Sequence, residues 1–215
     1  MMGRRDFLAG LAASAVCATR VGADAPARAR LDDIDPRDDV FSYIRRLTGG
    51  FDAALYVQIL GAANEFKEGD ALVGVAAADA SARANARRLL ANTRLRDLDA
   101  HPPLRDALYT LIDGHRDPRA VSRSAGMTVG ELRQFLLTGD EAAIKALMPG
   151  LSSDAIASVV KLMNNRELTA VAAKVFNPLP GSQIGARGFL GARIQPNSPT
   201  DNVDDIRWQV FDGWA

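Results

Sequence analysis

At Phe176 the pattern of this chain changes, and the change limits what the chain can fold into. Before it, apolar residues recur three and four positions apart between capping residues and glycines, the spacing of amphipathic helices. After it, NPLPGSQIGARGFLGARIQPN is dense in proline and glycine and holds two short extended runs, Gln183 to Ala186 and Phe189 to Gln195. A last helix over about residues 202–213, capped by Asp201 or Asn202, then places Val203, Ile206, Val210 and Phe211 on adjoining positions of one face. Loop, strand, loop and helix is the order in which a β/α unit begins. The expected fold class is therefore mainly α, with one β/α unit at the C-terminal end.

The helical patterns follow one another from Asp35-Pro36, where Val40, Phe41, Ile44 and Leu47 share a face and Gly49-Gly50 stops the helix. Asp52 to Lys67 reads as a second helix. Glu68 to Asp79 is apolar but too broken by glycine to assign by period. Helices are expected again over Ser81 to Ala91, Leu104 to Ile112, Asp140 to Leu147 and, as one long element, Ser153 to Val175. Thr128 and Glu131 have the spacing of a capping box and open a helix through Leu137. These patterns divide the chain into a helical domain over 36–176 and a C-terminal part over 177–215, with the strand at about 189–195.

The first 23 residues are not expected to join that core. MMGRRDFLAGLAASAVCATRVGADA has a basic start at Arg4-Arg5, a short apolar run from Phe7 to Ala18, and then small residues. This is the layout of an export signal, and its apolar run falls short of the roughly 20 residues needed to span a bilayer. R-R-D-F-L resembles the twin-arginine signal, whose machinery exports folded proteins, so residues 1–23 are expected to be removed after Ala23 and to direct the chain to the periplasm. Cys17 would leave with the signal. Residues 24–35 read as a linker, and nothing in the mature chain is long and apolar enough to cross a membrane.

Composition narrows the chemistry. The 26 basic residues balance 26 acidic ones, without the clustered basic excess of a nucleic-acid binder. Two histidines, His101 and His115, and one cysteine cannot build a zinc site or a disulfide framework, so no metal site is expected. Demanding chemistry would rest on carboxylates, amides, arginines or an imported cofactor.

The candidate sites are few. Gly181, Gly185, Gly188 and Gly191 fit neither phosphate-loop spacing and read as turn glycines. Asp113-Gly114-His115 begins like the D-x-H-x-x-G motif of some cobalamin enzymes, but Pro118 stands where its glycine belongs, and both histidines read as surface residues. Arg83, Arg87 and Arg88 read as a solvated helix face. Arg193 and Gln195 differ from these. In a strand, residues two apart share a face, and Pro196 ends the ladder, which puts both polar side chains at the strand's C-terminal end. That end gathers catalytic residues in an α/β barrel, yet an arginine paired with a carboxylate at a domain seam fits the pattern equally well. A guanidinium stays charged when desolvated, and an amide both donates and accepts.

The runs EFKEGDALVGVAAADASARANARRLLANTRLRDL, LSSDAIASVVKLMNN and, above all, IGARGFLGARIQPNSPTDNVDDI resemble the large, catalytic subunit of ethanolamine ammonia-lyase. The resemblance extends from about Phe66 to the end, with GARIQPN and GDALVGVAAA its specific motifs. It implies an adenosylcobalamin-dependent lyase that converts ethanolamine to acetaldehyde and ammonia by a radical route, in which the cofactor supplies the radical and the protein positions and polarises. It also implies that the C-terminal part is the first β/α unit of a (β/α)8 barrel, incomplete in this chain, with Arg193 and Gln195 as substrate-binding residues. The family's large subunits assemble with one another and with a small subunit. Its further substrate contacts, an asparagine, a glutamate and an aspartate, lie on later barrel strands, so the 215 residues alone are expected to be inactive. The family is usually cytoplasmic or housed in a bacterial microcompartment, which conflicts with the export signal. An exported, noncatalytic helical module for binding or assembly is the competing expectation.

Overall fold

The computed structural model describes residues 31–189, 191, 194–197 and 202–214. The expected export signal, with Cys17, and most of the linker lie outside the described residues; the described end of that linker is part of the fold, because Leu31 is buried in the core with its carbonyl accepting from Asn85 at 2.6 Å, and Ile34 packs against the same core. The described chain is mainly helical and falls into two units, one ending at Ala170 and one beginning at Val171. No β-strand forms among the described residues; the one ladder-like feature is an isolated antiparallel bridge between Arg94 and Thr128.

Short acidic and hydroxyl side chains set where the helices begin. Helix α1, Val40–Thr48, starts after Asp39, whose carboxylate accepts from the Ser42 N–H while the Ser42 hydroxyl closes a capping box. It therefore starts later than expected, because Asp35 instead turns the chain by accepting from the Arg37 N–H at 2.9 Å. Gly49, at φ 77°, ends α1 in the left-handed conformation. Asp52 caps α2, Ala53–Ala62, and Asp79 caps α4, Ala80–Asn92; the short α3, Glu68–Leu72, lies between them. Two short helices, α5 (Leu95–Ala100) and α7 (Pro118–Ser124), were not foreseen, and α6, Ala107–Gly114, separates them. The Thr128–Glu131 capping box opens α8, Val129–Thr138, as expected, and Asp140 caps α9, Glu141–Leu147.

The single helix expected over 153–175 is two: α10, Ser153–Leu162, and α11, Asn165–Ala172. Met163 turns extended, and Asn164 then acts as a new cap. Its side chain accepts from the Glu167 N–H at 3.1 Å, and the Glu167 carboxylate accepts from the Asn164 N–H at 3.0 Å. In the C-terminal unit, Asn202 accepts from the Asp204 and Asp205 N–H groups at the start of α12, Val203–Trp214.

The core belongs to the helical unit. Val40, Tyr43 and Ile44 of α1, Tyr56 and Ile59 of α2, Leu89 and Leu90 of α4, Leu95 and Leu98 of α5, and Leu132 of α8 are all buried in one cluster. Leu47, expected on the inner face of α1, is exposed, and Tyr43 takes the inward position. At the centre, Thr93 is fully buried: its hydroxyl donates to the Leu89 carbonyl at 2.8 Å and accepts from the Val40 N–H at 3.1 Å. Its own carbonyl accepts from the Val129 N–H at 2.9 Å, so one residue ties α1, α4 and α8 together.

GDALVGVAAA owes its composition to close packing. The Asp70 carbonyl accepts from both Val75 and Ala76, folding the segment after α3 back toward α2. A Cβ at Gly61 would lie 2.5 Å from the Val75 Cβ, so only glycine lets the two backbones approach this closely.

Candidate substrate-binding segment

The expected site residues fall in the C-terminal unit. From Asn177 the chain makes tight turns rather than the extended run expected over 183–186: the Leu179 N–H donates to the Ile184 carbonyl at 2.9 Å, and Ala186 bonds back to Gln183 at 3.0 Å. Gly181, Gly185 and Gly188 have φ of 73°, 82° and 83°, the left-handed conformation that turns demand, in agreement with their reading as turn glycines. Arg187 sits over the Phe176 ring at 4.4 Å from its centroid.

The strand expected over 189–195 is not formed among the described residues. A strand needs a neighbour to bond its backbone groups, and no second extended segment runs beside these positions among the described residues. Arg193 lies outside the described residues. Gln195 is exposed, between Ile194 and half-buried Pro196.

The segment is instead seated on the last helix. The Asn197 N–H donates to Gln209 Oε1 at 2.9 Å, and Gln209 Nε2 donates to the Asn197 carbonyl at 2.8 Å. One side-chain amide thus reads both polar groups of one peptide residue, as a strand neighbour would. Immediately before Gln195, Ile194 packs against Gly213: a Cβ there would lie 2.3 Å from the Ile194 Cδ1 and 2.7 Å from its Cγ1. Ile206 and Val210 of α12 are half-buried, while Trp208 and Phe211 are exposed.

A second cluster of ionisable groups lies in the helical unit. Arg116 Nη1 donates to Asp99 at 2.8 Å and to the Gly150 carbonyl at 3.1 Å, and its Nη2 lies 2.6 Å from Asp113. Burial pulls the Arg116 pKa down, but Asp99 and Asp113 more than offset it, and the net shift is upward. Burial, with Asp99 nearby, raises the Asp154 carboxyl, and burial drives the Tyr56 phenol well above its ordinary range. The Tyr56 hydroxyl and one oxygen of Asp154 are buried without a hydrogen-bond partner. The adjoining cleft between Tyr109, Ile112, Asp113, Ser152 and Ser153 is too tight for a water molecule, so there the cluster braces helices; Arg116 and Tyr56 also line wider, open clefts of about 470 Å³ and 340 Å³.

Both histidines are exposed, as expected, and each ring has a partner within the helical unit. His115 bonds the Leu111 carbonyl through Nδ1 at 2.7 Å, and Pro118 serves as the first residue of α7 after the Asp117 cap. His101 is exposed, yet its ring packs at 4.7 Å and 4.9 Å from the Phe41 and Phe51 centroids. Arg83 and Arg87, read as solvated, converge on Glu65, with Arg87 also donating to the Ala63 carbonyl at 2.9 Å; Arg88 is exposed as expected. No helix among the described residues is long and apolar enough to cross a membrane. Sequence reasoning missed Gln209, which looks like any polar residue on an exposed helix. Gly213 did leave a signal, since a glycine inside a helix costs about 1 kcal/mol relative to alanine and calls for a packing reason.

Comparison with known proteins places these features. The family described as ethanolamine ammonia lyase large subunit (EutB) matches residues 51–215. The ethanolamine ammonia-lyase large subunit of Escherichia coli (strain K12) is 31% identical over 165 residues, covering 73% of this chain. That of Salmonella typhimurium (strain LT2) is 30% identical over the same length. The chain spans 36% of the length of these relatives.

Proposed function

This chain belongs to the ethanolamine ammonia-lyase large-subunit family, a family of lyases, and we propose that its C-terminal unit supplies the first substrate contacts of an enzyme that deaminates ethanolamine. In this reading Arg193 donates to the substrate hydroxyl oxygen, and the Gln195 amide accepts from or donates to the hydroxyl and amino groups. The motif IGARGFLGARIQPN supports it, together with the described part of that segment, Ile194 to Asn197, being held at both ends on α12. We read the segment as the first strand of a (β/α)8 barrel, which would gain its hydrogen-bonded neighbours only within a complete sheet.

Family membership also points to adenosylcobalamin as cofactor and to assembly with a small subunit and further large subunits. The resemblance does not depend on a D-x-H-x-x-G motif, so Pro118 in the place of its glycine does not count against the cofactor, and no cofactor contact is assigned to His115 or His101.

Turnover tests the reading. The 215-residue chain with adenosylcobalamin is expected to release no acetaldehyde from ethanolamine. In a large subunit containing this segment and assembled with its small subunit, Arg193→Ala is expected to lower kcat/KM by at least about a hundredfold, the scale of a lost charge-assisted contact of about 3 kcal/mol. Near-normal turnover by Arg193→Ala would reduce Arg193 to a structural arginine.

A further inference from the structure

We infer that Gln209 and Gly213 are positioning residues for substrate binding: together they fix the segment that presents Gln195, although neither touches substrate. This inference rests on the reading of Arg193 and Gln195 as substrate contacts. Gln209 and Gly213 are four residues apart on α12 and so share one helix face. Asn197 is bonded to the first of them through both its N–H and its carbonyl, at 2.9 and 2.8 Å. Ile194 lies against the second, where even a methyl group would overlap three of its side-chain carbons. The two attachments bracket Gln195 and Pro196, leaving Gln195 little freedom to slide or roll relative to the helix.

The chemistry at each attachment is specific. Only a side chain with a donor and an acceptor on one carbon, at this length, can satisfy both groups of Asn197; leucine, one carbon shorter and apolar, removes both bonds, and glutamate at neutral pH keeps the acceptor but loses the donor. At position 213 the absent side chain is the functional feature. Alanine there favours the helix by propensity, yet pushes Ile194 outward.

That opposition separates positioning from mere stability. In the full 215-residue chain, Gln209→Leu should speed hydrogen exchange of the Asn197 N–H by about two- to twelvefold, the range expected for one net hydrogen bond of about 0.5–1.5 kcal/mol. In the assembled enzyme, Gln209→Leu and Gly213→Ala should each raise KM for ethanolamine about three- to tenfold with kcat within about twofold, the signature of lost uniform binding. Gln209→Glu should fall between wild type and Gln209→Leu. Gly213→Ala should do this without lowering the melting temperature. Unchanged Asn197 exchange in Gln209→Leu, or an unchanged KM in both variants, would overturn the inference. Loss of the substrate-site reading itself would register differently, as near-normal turnover by Arg193→Ala with Asn197 exchange still dependent on Gln209.

Discussion

Thr93 is the residue on which most of the helical unit's local geometry converges. It closes α4 by donating from its hydroxyl to Leu89, accepts from the first N–H of α1, and receives the first N–H of α8 on its carbonyl. With no solvent access, water cannot replace any of these bonds. Valine has nearly the same shape but no hydroxyl, so Thr93→Val would leave the buried Val40 N–H unsatisfied. The expected cost is about 1–3 kcal/mol, read as a shift in urea midpoint with an unchanged slope, and Thr93→Ser, which keeps the hydroxyl, should recover most of it. Equal destabilisation by serine and valine would move the explanation from the hydrogen bonds to methyl packing. Nothing in the local sequence NTRL announced this role, because the bonds to α1 span 53 residues of chain.

At the scale of elements, the break between α10 and α11 shows how a polar side chain overrides an apolar period. Val159, Val160 and Met163 continue one pattern toward Val171, and by period alone they favour one helix. Asn164 and Glu167 stop it by satisfying each other's backbone N–H, and Arg133 of α8 pairs with the same Glu167 carboxylate. The Asn164 N–H bond, then Arg133, hold the Glu167 pKa below its usual value. The sign follows: a depressed carboxyl adds stability above its unfolded value of 4.5 and loses it as pH falls through the lower folded value. Glutamine can still complete the capping box, so Glu167→Gln isolates the charge. Paired urea titrations should find wild type more stable at neutral pH and the two chains converging in acid; a pH-independent gap would rule the charge out. Helices opened by a visible cap, such as the Thr128–Glu131 box, were legible in the sequence, and so was the N-x-x-E signal at Asn164, though the apolar run masked it. Leu95–Ala100 and Pro118–Ser124 were too short for a period to register. The segment before α12 looked like a strand because extended residues alternate whether or not a neighbour exists; pairing is non-local, and its absence cannot be read from seven residues. For the site, the alternation marked Arg193 and Gln195 as polar side chains on one face, and only the family motif distinguished substrate contact from a structural ion pair.

For the molecule as a whole, the division of apolar burial decides what each part can do alone. Every described residue of the core cluster and of its packed surroundings lies between Leu31 and Met163. The C-terminal unit has exposed Phe189, Val203, Trp208 and Phe211, and its hydrogen bonds between Asn197 and Gln209 are open to solvent. A unit of that kind stays near the low end of the stability scale, whereas the helical unit has the closed core of an independent cooperative fold. A chain ended after Val175 is therefore expected to melt in one transition, with a midpoint within about 2 °C of the 215-residue chain, since each kcal/mol shifts a domain of this size by about 2–4 °C. Circular dichroism at 222 nm gives the midpoint. Hydrogen exchange adds the regional view: amides of α12 should exchange by local opening while those around Thr93 exchange only through global unfolding. A midpoint lowered by more than about 5 °C would mean that residues beyond 175 share the stability of the helical unit, and that the substrate-binding segment is anchored by more than α12.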